Sequence, residues 1–411
     1  MRTLYGLDVL KENDFDILRG RRIGLITNYS GISSELKPNI ELMLSAGINV
    51  IKIFTPEHGF FGASDGLEIK DTVHPKYGIR MVSLYGDKKI PAEEDLEDID
   101  ILVYDIQDVG LRFYTFIYTL AYTLESASKY GVSYVVLDRP NPLSGEVIIG
   151  PRILDQLNSF VGGYKLPIRY GLTAGELALY YSKLKGLALD LTVIRMKNWT
   201  RDMYYPDTGL LWNVPSPNLP TFSGTLCYAG MCFIEATNIS EGRGTTKPFE
   251  YIGAPWIDED IVFEELKKEN FPDVAFRKRY FIPEFSKYKG EVCRGLEFFP
   301  LSYKADFIRV ALSLISIVAR RFPEYFAYRT YNEVLSINLL IGDRETEKDL
   351  LEGKSWKSIY ERWKKDEEEF RSFIESNPSN NVGRICSGAI RRRYSTLLES
   401  EASLRSKSPS S

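Results

Sequence analysis

Glu57 and His58 stand side by side within TPEHGFFG (55–62), directly after the apolar, β-branched run INVIKIF. A carboxyl group in a partly closed aromatic pocket can hold its pKa near working pH and act as a general acid or base. Phe54, Phe60 and Phe61 supply such walls. The plain alternative for Glu57 is a local cap or ion pair. The chain has only 2 histidines in 411 residues, which singles out His58. Its imidazole can orient the neighbouring carboxylate, touch a substrate, bind a metal or pack as a satisfied structural histidine.

Three further strand-like runs end on polar groups. RRIGLIT runs into Asn28, IDILVYD into Gln107 and Asp108, and SYVVLD into Arg139 and Asn141. Open α/β sheets bind ligands beyond the carboxyl ends of their strands, so four such ends point to a site. DIQDVGLRFYT (105–115) adds Arg112, at helical spacing from Asp108, and Tyr114, which offers a sugar a stacking face. The prolines of DRPNPLSGE (138–146) fix a loop path, and VPSPNLPT (214–221), with Asn218, has the same rigid, amide-bearing character.

EATNISEGRGTTKPFE (235–250) reads as a ligand loop. Gly242 and Gly244 permit close backbone approach, Arg243 can fork onto a carboxylate or phosphate, and Asn238 and Glu241 can grip hydroxyls. It lacks the order of a phosphate-cradling P-loop.

The elements that must position these groups alternate strand and helix through the first half, as a parallel sheet flanked by helices requires. Helices are expected at 37–47, 92–100, 116–131 and 173–186, the last capped by Thr173 and stopped at Gly186, before a strand in LDLTVIRM. Between 198 and 256 the texture turns to Trp, Pro, Asn and Gly without clear periodicity, which reads as long functional loops. From 257 a smaller mixed α/β unit is expected, with a buried helix at 307–322. The divisions are therefore 1–256, 257–376 and a partly ordered, Ser- and Arg-rich tail at 377–411.

Composition narrows the partners. Fifty-two basic and 56 acidic residues give a net charge of -4, with no broad basic field for nucleic acid and no polybasic membrane patch. A small molecule or oligosaccharide is the expected partner, and the sequence leaves the oligomeric state open. The 4 cysteines fit neither a zinc motif nor a disulfide framework. Glu57, His58, Asp65, His74, Asp105 and Asp108 are available as metal ligands, yet no HExxH, HxH or paired-Cys spacing appears, so no metal and no cofactor is expected. The opening MRTLYGLDVLKENDFDILRG lacks a signal-peptide pattern and no run reaches membrane-span length, so a cytoplasmic protein is expected.

GLITNYSG, FTPEHGFFG, VSLYG, DIQDVGLRFYT, VLDRPNPLSG, RYGLTAGELA, SPNLPT, EATNISEGRGTTKPFEYIGAPW and FIPEFSKYKGEVCRG occur in this order. The set resembles the NamZ-type exo-β-N-acetylmuramidases, a glycoside hydrolase family long filed as a domain of unknown function. The likeness covers most of residues 5–300 and continues weakly to about 375. It implies a Rossmann-like N-terminal domain with a mostly parallel sheet, a smaller C-terminal α/β domain and a site in the cleft between them. It also implies release of terminal N-acetylmuramic acid from peptidoglycan fragments, with the PEHG glutamate, here Glu57, as the favoured catalytic residue.

Glycosidic cleavage usually takes two carboxyl groups. With Glu57 as proton donor, the partner is sought among Asp108, Glu241, Glu235 and Glu176, unless the substrate's acetamido group supplies the nucleophile. Arg243 or Arg139 would receive the lactyl carboxylate of muramic acid. Two other readings remain open: a non-hydrolytic carbohydrate-binding or sensing protein on the same scaffold, and a nucleotide- or phosphate-using enzyme with GRGT as its cradle.

Overall fold

A computed structural model describes residues 1–63 and 70–376. Asp65 and the tail at 377–411 lie outside the described residues. Residues Met1–Phe370 form one compact unit; Arg371–Ser411 form a second, of which only 371–376 are described.

The chain passes through α1 (Gly6–Glu12), β1 (Arg22–Thr27), α2 (Asn39–Ser45), β2 (Asn49–Thr55), β3 (Thr72–Val73), β4 (Arg80–Ser83) and α3 (Glu93–Leu96). It continues through β5 (Ile101–Asp105), α4 (Phe116–Tyr130), β6 (Ser133–Leu137), α5 (Ala174–Lys185) and β7 (Leu191–Ile194). These strands make one 7-stranded sheet in the order β3-β4-β2-β1-β5-β6-β7. Only the short edge strand β3 runs antiparallel. The other strands pair in parallel, and numbered among themselves they follow the doubly wound order 3-2-1-4-5-6.

Local chemistry explains the element ends. Thr173 Oγ1 accepts from Glu176 N while the Glu176 carboxylate accepts from Thr173 N, a reciprocal cap that starts α5. Gly186, at φ 63°, ends it in the left-handed region where a side chain would be strained. The central strands are covered on both faces, so β5 is buried at every residue.

Beyond the sheet come α6 (Phe222–Met231), β8 (Tyr251–Ala254), α7 (Glu259–Lys267), β9 (Val274–Phe281), β10 (Cys293–Pro300) and α8 (Phe307–Arg321). The chain then runs through β11 (Thr330–Tyr331), β12 (Val334–Leu335), α9 (Ser336–Ile341), α10 (Thr346–Leu351) and α11 (Trp356–Glu375). Strands β8, β10 and β9 form an antiparallel sheet with β10 in the middle. Helix α6 is a correction to the loop-only reading of 198–256. Its residues from Gly224 to Met231 are all buried, so it shows no apolar stripe to read. A Cβ on Gly230 would meet the Phe307 carbonyl oxygen at 1.9 Å, which is how closely α6 packs on α8.

At the carboxyl edge, the crevice between β1 and β5, where this fold often holds a dinucleotide, is filled by the chain's own polar groups. Arg139 Nε donates to Asp105 Oδ1 at 2.7 Å, and both side chains are fully buried. Asn39 Nδ2 donates to the other carboxylate oxygen at 2.7 Å, Arg139 Nη2 donates to the Ile32 carbonyl, and the guanidinium lies over the Tyr5 ring. Arg139→Met keeps the volume but leaves Asp105 a buried charge without its cation. We expect it to lower the unfolding free energy by about 3–5 kcal/mol in denaturant titration; an unchanged midpoint would show that the pair carries no such weight.

Candidate active site

The segment after β2 turns back at once, with Gly59 N donating to the Pro56 carbonyl at 3.0 Å. In this β-turn His58 adopts φ 68°, a left-handed conformation that costs a residue with a Cβ about 1–2 kcal/mol. The strained turn carries Glu57 to the start of α4. There Thr115, at the helix N-cap, makes no side-chain cap and instead donates from Oγ1 to Glu57 Oε2 at 2.5 Å. The positive end of the helix dipole favours a carboxylate in this place. The His58 ring meets Phe116, the first residue of α4, edge to face at 6.3 Å between centroids.

Glu57 and His58 open onto a cleft of about 110 Å³. Phe113, Tyr114 and Thr115 come from the loop after β5, and Ser216, Asn218 and Leu219 from the rigid 214–221 segment. Tyr228 of α6 and Arg243 and Phe249 of the glycine loop complete the lining. Tyr29 and Tyr114 hydroxyls both donate to the Pro215 carbonyl at 2.6 Å, which anchors the rigid segment against the sheet edge. Burial pushes the Tyr114 and Tyr228 phenols far up, so both stay protonated.

Arg243 is held in place by acids. Its Nη2 donates to Glu235 Oε1 at 2.5 Å, its Nε lies 3.4 Å from Glu241 Oε1, and its guanidinium sits over the Phe249 ring. Glu241 Oε2 is in turn 2.9 Å from Lys287 Nζ, an ammonium whose pKa burial lowers. Gly242 and Gly244, at φ 80° and 79°, provide the backbone path; a Cβ on Gly244 would strike the Phe285 backbone at 2.5 Å.

Of the residues singled out by sequence, Glu57, His58, Tyr114, Asn218 and Arg243 line the cleft. Glu241 and Glu235 reach it only through Arg243. The others lie elsewhere in the described structure. Asp108 is buried, accepting from Gly110 N and the Tyr170 hydroxyl at 2.6 Å each, and burial raises its pKa to about 6. Arg112 is fully buried and donates to the carbonyls of Pro151, Leu166, Leu340 and Ile341, fastening the loop after β5 to α9. Its i,i+4 pairing with Asp108 does not form. Arg139 is committed to Asp105.

Asn141 spans Leu143 N and the Leu172 carbonyl, and Asn238 clips Ala327 N and the Tyr325 carbonyl. Glu176 caps α5 and pairs with Arg201 at 2.6 Å. Asn28 Oδ1 accepts from Ser30, whose Oγ accepts from Gln107 N, so these two amides share one buried network. His74 packs against Phe60, Phe61 and Tyr77. Among the described residues, no group of three His, Cys, Asp or Glu stands where it would hold a metal ion.

Sequence reasoning passed over Phe113, Thr115, Ser216, Leu219, Tyr228 and Phe249. Five of these lie inside motifs it had marked, where each could have been tried as a wall. Tyr228 sits on the buried helix α6 and gave no signal.

Fold and cleft together define a Rossmann-like α/β protein whose nucleotide crevice is closed and whose polar, aromatic-lined site opens beyond β2. The N-terminal model of exo-beta-N-acetylmuramidase NamZ matches residues 23–223 and the C-terminal model matches residues 226–376. The chain belongs to the exo-β-N-acetylmuramidase NamZ family. It is 41% identical over 368 residues to the peptidoglycan beta-N-acetylmuramidase NamZ of Bacillus subtilis (strain 168), covering 89% of this chain and 88% of that one. Two crystal structures of DUF1343 family proteins from Bacteroides fragilis NCTC 9343 superpose with TM-scores of 0.83 and 0.72. They share 32% and 30% identity, and each match covers 90% of this chain and 97% of the other.

Because Asp108 ionises near 6 when folded, against an ordinary 3.8, the folded state holds the extra proton between these values. Its contribution to stability is full at low pH and is lost as pH rises through about 6. Asp108→Asn keeps an acceptor for Gly110 N and Tyr170, so its unfolding free energy should decline less than that of the unsubstituted protein between about pH 4 and pH 6. Equal declines would place the titration on another group.

Proposed function

We propose that this chain is an exo-acting glycosidase that releases a terminal β-linked N-acetylmuramic acid from peptidoglycan fragments. Family membership supports the substrate class. The observation that carries the chemistry is that Glu57 is the one carboxylate among the described residues lining the cleft. We assign it as the acid that protonates the leaving oxygen, oriented by Thr115. His58 and Asn218 hold sugar hydroxyls, and the aromatic walls of Phe113 and Tyr228 exclude water around the bond. Arg243, fixed by Glu235 and Glu241, takes the lactyl carboxylate.

A second carboxylate does not line the described cleft, which favours the substrate's own acetamido oxygen as nucleophile. It attacks the anomeric carbon as the aglycone leaves with the proton of Glu57, and water then opens the cyclic intermediate with Glu57 acting as base. Tyr228, Arg243 and Phe249 fall within the 226–376 match and the other lining residues within the 23–223 match, so both family regions contribute to the cleft. No described helix is long and apolar enough to cross a membrane. In the cytoplasm, the compartment we favour, the substrate is an imported fragment, and cell fractionation checks the placement.

With a chromogenic muramic acid glycoside, Glu57→Gln should lower kcat by about 10²–10⁴ with an unchanged circular dichroism spectrum. Turnover close to that of the unsubstituted enzyme removes Glu57 from the chemistry. Proton NMR of the first product formed should show the β-anomer; an initial α-anomer contradicts the acetamido route.

A further inference from the structure

FIPEFSKYKGEVCRG, one of the ordered sequence motifs, spans the loop between β9 and β10 and supplies none of the described residues that line the cleft. It is clamped instead to the loop that carries Arg243. Glu284 N donates to the Gly244 carbonyl at 2.8 Å, and the Tyr288 hydroxyl donates to the Asn238 carbonyl at 2.6 Å. Between these two ties Lys287 turns inward, its side chain only 13% exposed. Ser286 and Tyr288, on either side of it, take left-handed φ of 70° and 57°, so the backbone bends sharply to aim this one ammonium.

The ammonium is fully engaged. Lys287 Nζ donates to the Ile234 and Ile239 carbonyls at 3.0 and 2.8 Å, has the Glu235 carbonyl at 3.4 Å, and lies 2.9 Å from Glu241 Oε2. It therefore holds both the backbone at Glu235 and the carboxylate of Glu241. These are the two acids that touch Arg243.

Charge gives the contact its consequence. Arg243 with Glu235 and Glu241 alone would form a group with one negative charge in excess, which repels a carboxylate entering the cleft. Lys287 brings the group to neutrality, and the guanidinium that lines the cleft is left to attract an anion. Arg329 also carries charge near Lys287, but it is exposed, where water and salt screen it.

We propose that Lys287 is a positioning and specificity-determining residue for the anionic sugar: it neutralises the acids behind Arg243 and so lets that guanidinium receive the lactyl carboxylate. The inference rests on the glycosidase reading above and on the part of Arg243 in it. A merely structural lysine would act alike on charged and neutral substrates.

Steady-state kinetics on the chromogenic muramic acid glycoside and on its lactyl methyl ester separate these cases. Lys287→Met and Lys287→Gln, the second keeping a donor for the carbonyls, should each raise KM for the acid about tenfold and change kcat less than about threefold. That is the weight of one unit charge about 10 Å away at an effective dielectric of about 20. KM for the ester should stay within about twofold. Adding Glu241→Gln to Lys287→Gln removes one charge of each sign and should recover most of the affinity for the acid. An unchanged KM for the acid, equal rises for acid and ester, or no recovery in the folded double variant overturns the proposal. Equal KM values for the two substrates in the unsubstituted protein remove the role of Arg243, and that of Lys287 with it, while the glycosidase reading stands. Failure to cleave either substrate removes the glycosidase reading as well.

Discussion

The buried Asp105–Arg139 pair is the constraint on which the arrangement of the carboxyl edge depends. Two full charges withdrawn from water at the ends of β5 and β6 are tolerable only with close geometry and further hydrogen bonds, which Asn39, the Ile32 carbonyl and the Tyr5 ring provide. Satisfying the pair draws α1, α2 and the loop after β1 onto the crevice between β1 and β5. The place where a doubly wound sheet commonly binds a nucleotide is thereby filled by protein. The open polar surface is left one strand away from β1, beyond β2, where Glu57 meets the start of α4.

The sheet was plain in the sequence because buried parallel strands write continuous apolar runs, and each of INVIKIF, IDILVYD and SYVVLD became a strand. Capped helices were equally plain: Thr173 and Gly186 bracket α5. Helix α6 was not legible, since burial on all sides erases the period that marks a surface helix. The polar residues were harder to sort. A charged or amide side chain just past a strand serves as well to close a loop as to bind a ligand, and sequence cannot tell the two apart. Arg112 and Asn141 proved to be holding backbone carbonyls, whereas Glu57 and Arg243 face the cleft.

The site gains its rigidity from groups that do not line it. The His58 turn is strained and persists because Thr115, Phe116 and the sheet beneath leave it no alternative. Arg243 keeps one orientation because two acids grip it, and one of those acids is gripped by the partly buried Lys287. Preorganisation of this kind suits a reaction in which an acid must meet one oxygen atom while a carboxylate on the sugar fixes the register.

Placement of the sugar relative to Glu57 is the claim on which the rest turns, and a crystal structure of the Glu57→Gln protein soaked with N-acetylmuramyl-β-1,4-N-acetylglucosamine measures it directly. The account predicts the muramic acid ring in the cleft of Tyr114, Asn218 and Tyr228, with the glycosidic oxygen about 3 Å from the side chain at position 57. A disaccharide bound with its glycosidic oxygen beyond hydrogen-bond reach of that side chain, or bound in the crevice beside Asp105, would contradict it.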